Sequence, residues 1–299
     1  MLDITTVILT YNEEKHIRRC IDNVTPISKK VIVIDSPSTD KTVDICKEYN
    51  NVVVVVHPYP GNQAEQLNWA LENVHIDTDW ILRIDADEYL SPELVEEIER
   101  KVPLLESDIT GVYLQRQHVF MGKRMKYERN AVILRLFRYG KAKCEVRLMD
   151  EYMLVDGGRT VTFDNLFFDH NLCTLSDYCK KHVNYASREV ALILDEKYNI
   201  SNHEPSITKE IGKDGAFIRK AKSGYQRLPL FWRGVIYFFY RYFLTGTFLQ
   251  GRAAFVYCFI QAWWYRTLVD GILIEVQNAC GDNVNLIKKY LFDNYKIKL

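Results

Sequence analysis

Four short runs of apolar, mostly β-branched residues mark the first part of the chain: Thr5–Thr10, Val31–Asp35, Val52–His57 and Trp80–Asp85. Their continuous apolarity predicts buried strands. Between them the apolar positions recur at helical spacing. Ile17 and Ile21 are four apart in EEKHIRRCIDNV, TVDICKEY follows the capping signal Ser38-Thr39-Asp40, and Leu67, Ala70, Leu71 and Val74 share one face of AEQLNWALENV. Continuously apolar strands alternating with helices predict an α/β fold with a mostly parallel sheet covered by helices on both faces.

Beyond Gly111 the pattern changes to strands and loops, GVYLQRQHVF, AVILRLFRYG and TVTFDNLFF, with a basic patch of Lys123, Arg124, Lys126, Arg129, Arg135 and Arg138. The capping box Thr174-Leu175-Ser176-Asp177 predicts a helix running on through YCKKHVNYASREVALILDEKY, and the polar stretch 200–216 reads as a linker. No internal repeat or low-complexity tract interrupts the chain.

In open α/β sheets, ligands sit beyond the carboxyl ends of the strands. Tyr11-Asn12-Glu13 follows the first strand, Asp35-Ser36 the second, His57-Pro58 the third and Asp85-Ala86-Asp87 the fourth. Three of these four ends carry carboxylates, and like charges gathered in one place call for a divalent cation. Asp85-x-Asp87 can offer oxygen ligands to Mg²⁺ or Mn²⁺ holding a diphosphate; the plainer alternative is that Asp87 or Ser91 caps the helix PELVEEIERKV.

Charge sharpens this picture. The 299 residues balance 39 Lys+Arg against 39 Asp+Glu with 47% hydrophobic residues, a globular composition. The neutrality is a cancellation: residues 1–115 hold 10 basic and 21 acidic groups, 116–147 hold 10 and 2, and 215–269 hold 8 and none. That last segment also has 17 of the 38 aromatic residues. The expected division is a catalytic region over 1–214 and a C-terminal helical, membrane-interface region over 215–299. Seven scattered cysteines without a CxxC pair argue against a disulfide framework or structural zinc and fit a reducing cytoplasm. The opening MLDITTVILTYNEE lacks the basic start of a signal peptide and reads as a strand.

The motifs ILTYNEEKHIRRCIDNV, VIVIDSPSTDKTVDI, QLNWAL and WILRIDADEYLSPEL, in this order and spacing, resemble the inverting glycosyltransferases of family 2. Weaker likeness continues through LRLFRYG, Asp150-Glu151, KKHVNYASREV and YFFYRYFLTGTFLQGR, as in bacterial envelope-polysaccharide members. The resemblance implies a GT-A, Rossmann-like mixed sheet. It implies that Thr10, Tyr11 and Glu13 line a nucleoside pocket, that Asp35 contacts base or ribose, that Asp85 lies against ribose and diphosphate, and that Asp87 binds Mn²⁺ or Mg²⁺. Asn68 belongs to the donor site in the same way, although Gln66-Leu67-Asn68 lacks the arginine many relatives have there. That leaves diphosphate neutralisation to the metal and to arginines such as Arg135 or Arg138, for which edge-strand solvation is the alternative.

Inversion by single displacement needs a base for the acceptor hydroxyl. The resemblance points to Glu151 first and Asp150 next, and to His170 as a third metal ligand or a structural histidine. Lys181, Tyr185 and Arg188 are read as structural.

In the tail the longest uncharged stretch, Ala253–Tyr265, is too short to span a bilayer. As one helix it would place Arg233, Arg241, Arg252 and Arg266 in one stripe opposite aromatics, a helix lying in the membrane interface, unless Gly246 and Gly251 break it. The alternative is packing on the catalytic region or at an oligomer interface; basic residues interleaved with aromatics also suit single-stranded nucleic acid, but nothing else in the chain supports that. The sequence thus points to metal-dependent transfer of a sugar from a nucleotide donor, UDP-sugar first, to a lipid-linked or envelope glycan at the inner face of the cell membrane. The rivals are a polyprenyl-phosphate glycosyltransferase, a membrane-bound scaffold without chemistry, and a sugar nucleotidyltransferase, which would want a glycine-rich, arginine-containing N-terminal loop where this chain has TYNEE.

Overall fold

The computed structural model describes residues 2–146, 151–200, 224–225 and 228–299. The elements in chain order are β1 (Ile4–Thr10), α1 (Ile17–Val24), β2 (Lys30–Asp35), α2 (Thr42–Cys46), β3 (Val52–Val56), α3 (Gln63–Asn73), β4 (Trp80–Asp85), β5 (Glu88–Leu90), α4 (Pro92–Lys101), β6 (Ile109–Phe120), β7 (Lys123–Arg124), β8 (Ala131–Arg138), β9 (Ala142–Cys144), β10 (Met153–Val155), β11 (Arg159–Asp169) and α5 (Leu175–Tyr198). Among the described residues the later α-helices are α6 (Trp232–Phe239), α7 (Arg252–Cys258), α8 (Tyr265–Cys280) and α9 (Val284–Tyr295).

The main sheet runs β3-β2-β1-β4-β8-β6-β11-β5, with β7 paired to β6 and a separate β9–β10 ribbon. β1 to β4 are mutually parallel, β8 is antiparallel to both β4 and β6, and β11 is parallel to β6. This is the mixed, mostly parallel sheet the pattern predicts. Ile4, Ile8, Val31, Val33 and Leu82 pack with α1 and α4 in one core, while Val7, Ile32, Ile34 and Ile81 pack with α3 in another. The third strand departs from expectation: β3 is the sheet edge, with Val53 and Val56 exposed, so its apolar run is only half covered. β8 is a central strand, which removes edge-strand solvation as the account of Arg135 and Arg138. The Ser91 hydroxyl accepts from the Leu94 amide and caps α4, leaving Asp87 free of that task.

Beyond its first turns, where Tyr178 meets Phe120 of β6, α5 packs chiefly on the tail helices. Ala186, Val190 and Leu194 share a core with Val269, Ile272 and Val276 of α8 and Ile287 and Leu291 of α9. The expected boundary at 214 and the linker beyond Ile200 lie outside the described residues.

The tail corrects one prediction outright. Gly246 and Gly251, at φ +80 and +81, break it as their positions suggest, and segments 240–244 and 259–264 are π-helical. A π turn inserts a residue per turn and rotates the downstream residues out of the α-helical phase. Three of the four arginines consequently point inward, and Arg252 alone of them stays exposed. Arg233 is buried against Asp270, Arg241 pairs with Glu128 of the β7–β8 loop, and Arg266 Nη1 donates to Glu189 of α5 at 2.7 Å. The face left to solvent is apolar: Trp232, Phe239, Phe243, Leu244, Phe248, Leu249, Phe255 and Phe259 are all exposed. Among the described residues no helix is long and apolar enough to cross a membrane.

Candidate active site

The carboxyl ends of β1, β2 and β4 lie side by side, with Thr10 in register with Asp35 and Leu9 with Asp85. Beyond β1 the chain turns at Asn12, whose φ of 56 is tolerable for an asparagine with local hydrogen bonds. Its amide donates to the Ser38 hydroxyl and its side-chain oxygen accepts from the Thr39 amide. The Tyr11 ring projects outward and is 61% exposed, so a planar base could stack on it.

Asp35 behaves differently from expectation. It is 0% exposed, and its oxygens accept from the Thr10 hydroxyl at 2.8 Å, the Ser38 amide at 2.8 Å and the Ser38 hydroxyl at 2.6 Å. The carboxylate is spent on fixing the loop and presents no free oxygen to a base or ribose. Thr10 is likewise occupied from beneath.

Glu13 is held by His16, whose Nδ1 lies 2.6 Å from Glu13 Oε2. The Leu172 amide donates to His16 Nε2 at 2.8 Å, so that nitrogen is bare and the proton sits on Nδ1, donating to Glu13. One imidazole thus ties the β1 end to the loop after β11.

Around β4 the charges are dense. Arg135 reaches across from β8 and donates to Asp85 Oδ2 at 3.0 Å and Glu88 Oε1 at 2.5 Å, while the Asp85 amide donates to Glu88 Oε2. Burial opposes ionisation of Asp85, but Arg135 and Arg83 outweigh it and hold the carboxyl down to about 2; burial pushes Glu88 up against the pull of Arg135. Arg135 is therefore sunk beneath Asp85 and committed to two carboxylates, which corrects its assignment to the donor. Arg138 lies at the far end, beside Trp80 and donating to the Ile109 carbonyl.

Asp87 projects beyond Asp85 and accepts from Asn171 Nδ2 at 3.2 Å. Burial first and Asp169 second raise its pKa to about 6. Asp169, at the carboxyl end of β11, has His118 Nδ1 at 3.2 Å and Arg116 at 3.7 Å; burial opposes its charge, but these two hold its pKa down. The motifs do not single out Asp169, although it ends an apolar strand just as Asp35 and Asp85 do.

His170 is the clearest correction. Its Nδ1 lies 3.1 Å from Arg19 Nη1 and can only accept there, so a neutral ring carries its proton on Nε2. Burial and the Arg19 charge lower its pKa and keep it neutral. A metal-bound histidine usually donates its other N–H to an acceptor, and here the partner is a donor, so the ring is not set up as a ligand. Arg19 also donates to the Asp87 and His170 carbonyls, so it fastens α1 to both site loops.

The third motif turns out to be an organiser. Gln66 Nε2 donates to the Ser36 hydroxyl and the His57 carbonyl, and the His57 ring stacks on Trp69 at 3.6 Å. Leu67 is buried in the core. Asn68 Nδ2 donates to the Cys144 carbonyl at 2.8 Å and Asn68 Oδ1 accepts from the Cys144 amide at 2.7 Å. With both groups used, Asn68 clamps the β9–β10 ribbon to α3 rather than touching a donor. Glu151 comes later on that ribbon, half-buried and close to Tyr59 and Cys144. Asp150 lies outside the described residues.

Beside Asp169 a cavity of about 250 Å³ opens, lined by His118, Phe120, Asp169, His170, Tyr178 and Tyr257. Among the described residues no three His, Cys, Asp or Glu side chains converge closely enough to enclose a cation by themselves. Asp85, Asp87 and Asp169 are nevertheless the hard oxygen donors that Mg²⁺ or Mn²⁺ accepts.

Residues 5–162 match the family described as Glycosyl transferase family 2. An uncharacterised glycosyltransferase of Rickettsia typhi is 46% identical over 99 residues, which is 33% of this chain and 32% of that one. The SPbeta prophage-derived glycosyltransferase SunS of Bacillus subtilis is 35% identical over 104 residues, 34% of this chain and 24% of SunS. The matched span is thus about a third or less of these relatives' own length. Among solved structures, glucosyl-3-phosphoglycerate synthase from Mycobacterium tuberculosis, determined with Mn²⁺ and UDP-glucose, is 26% identical over 39% of this chain and 43% of that chain, at a TM-score of 0.31. Staphylococcus aureus TarS (residues 1–349) is 15% identical over 99% of this chain and 89% of that chain, at a TM-score of 0.45.

Proposed function

The chain belongs to glycosyl transferase family 2, a glycosyltransferase with the GT-A fold, and from that premise we propose an inverting, metal-assisted transfer of a sugar from a UDP-sugar to a hydroxyl of a lipid-linked or envelope glycan. The observation that carries this reading is Asp87 at the sheet's carboxyl edge, within electrostatic reach of Asp169 and Asp85, one strand from the exposed Tyr11.

In this reading Tyr11 receives the base, and the Asp35–Ser38 network holds that loop in shape. Asp87 would hold Mn²⁺ or Mg²⁺, with Asp85 and Asp169 nearby and the remaining positions left to diphosphate and water. Such an ion neutralises a departing diphosphate as a Lewis acid. Arg135 keeps Asp85 ionised beneath it. Glu151 would accept the acceptor's proton, positioned by the ribbon that Asn68 clamps.

A membrane surface is supported by the exposed aromatic face. The basic hairpin around β7 adjoins it: Gln250 Nε2 donates to the Arg124 carbonyl, and Tyr127 lies against Gly246. Exposed Lys123, Lys126 and Arg252 form a rim that suits anionic headgroups.

The test is thermal denaturation with UDP, Mn²⁺ or both. UDP with Mn²⁺ should stabilise the wild type by mass action and leave Asp87→Ala unmoved. Equal stabilisation of both proteins would sink the metal assignment. Undiminished transfer to a polyprenyl phosphate by Glu151→Gln would favour that acceptor, which needs little help from a base.

A further inference from the structure

A donor diphosphate adds negative charge to a place already holding Asp85, Asp87, Asp169 and Glu13, so a cation must meet it. The neighbouring arginines are engaged. Arg135 is bound by Asp85 and Glu88, Arg83 lies 3.8 Å from Asp85, Arg116 is near Asp169, and Arg19 is fixed to two carbonyls and His170. The third motif contributes only the buried Leu67 where many relatives have an arginine.

One cation differs from these. Lys181 of α5 has an exposed side chain, and among the described residues no carboxylate lies within 4 Å of its ammonium. Its nitrogen instead sits 5.8 Å over the Tyr185 ring. Its charge nevertheless falls in the field of Asp87, Glu13 and Asp169. The surrounding protein works against that charge by partial desolvation, but Tyr185, Asp87 and Glu13 outweigh it, so the ammonium stays protonated. The placement is set by the chain itself. Asn171 touches Asp87, Leu172 is pinned by His16, and Thr174 caps α5, which starts the helix at the site and sends its second turn past the carboxylates. Two turns on, on the same face, Arg188 pairs with the Tyr59 hydroxyl.

We propose that Lys181 binds the diphosphate of the nucleotide donor, taking the place of the cation missing from Gln66-Leu67-Asn68. An ammonium at the mouth of a carboxylate site, near its acids yet bonded to none of them and held only by Tyr185, is available for the phosphate oxygens that a metal at Asp87 would bring there. α5 lies beyond residues 5–162, which carry the family match. The inference rests on the donor reading above.

The test is calorimetric titration of the full chain with UDP and with uridine, in Mn²⁺. Losing one charge-assisted contact to a phosphate should weaken UDP by roughly ten- to a hundred-fold in Lys181→Gln. Uridine, having no phosphate, should bind wild type and variant equally. Lys181→Arg should recover most of the UDP affinity. Lys180→Gln, on the neighbouring position paired with Asp177, should change neither ligand. A Lys181→Gln protein that binds UDP as the wild type does, or loses UDP and uridine alike, overturns the assignment. A wild type that binds neither ligand overturns the donor reading itself, and this inference with it.

Discussion

Asp270→Asn isolates what the tail arginines do. Asp270 is 0% exposed on α8; it accepts from the Phe231 amide at 2.6 Å and from Arg233 Nε at 2.8 Å, with Arg233 Nη2 also bonded. It thereby fixes Phe231, a non-glycine residue at φ 63, at the start of α6. Asparagine has nearly the same shape but brings an NH2 against a guanidinium and takes the buried Asp270 charge away from Arg233. Removing one partner of a buried ion pair costs about 3–5 kcal/mol, or roughly two to four powers of ten in the local folding equilibrium. Urea denaturation followed by tryptophan fluorescence reads this directly, because Trp232, Trp263 and Trp264 are three of the chain's five tryptophans. The variant's tail transition should move to markedly lower urea. An unchanged midpoint, together with Arg233→Gln losing affinity for anionic vesicles, would refute the inward-facing assignment and restore a headgroup contact.

Asn68→Ala frees both backbone groups of Cys144 and should cost about 1–3 kcal/mol locally; turnover should fall while calorimetric UDP affinity holds, and an equal loss of both would return Asn68 to the donor. Glu97 accepts from Lys101 Nζ at 2.5 Å and from the Asp164 and Asn165 amides. Burial would raise its pKa, but these partners lower it below its ordinary 4.5. Its contribution is therefore complete above that value and fades as pH falls through the lowered one. Denaturation midpoints between pH 7 and 3 should drop more steeply for the wild type than for Glu97→Gln. Charge reversal of Lys123, Lys126 and Arg252 should reduce flotation on anionic vesicles only, whereas Leu249→Ser with Phe243→Ser should reduce it on neutral vesicles too; unchanged flotation of both would leave the aromatic face without a lipid partner.

The first four strands are legible because each signal is local: a short β-branched run ended by a polar turn. The order of the second half is not, since β8 inserts between β4 and β6 by pairing far along the chain. The site divides in the same way. Asp85 and Asp87 stand out by position at a strand end, but whether Arg135 meets a phosphate or Asp85 depends on how closely β8 approaches β4. The His170 tautomer is set by Arg19, 151 residues away, and no periodicity encodes it. The arginine stripe fails because it assumes a constant α-helical rotation across two π-helical segments and two left-handed glycines. Lys181 escapes sequence reading because helical spacing alone cannot tell a solvated lysine from one at the mouth of a site.

The hydrogen bond from the Tyr257 hydroxyl to Glu128 Oε2 at 2.7 Å has a practical corollary. Tyr257 lines the cavity together with His118 and Asp169, so sheet and tail enclose that space jointly. Cutting the chain before the tail would not yield a smaller, water-loving version of the same catalyst. It would unroof the compartment beside Asp169 and strand Glu128 and Glu189 without their arginines. Any lipid dependence of activity is accordingly best dissected by point changes on the outer aromatic face, which leave that shared wall standing.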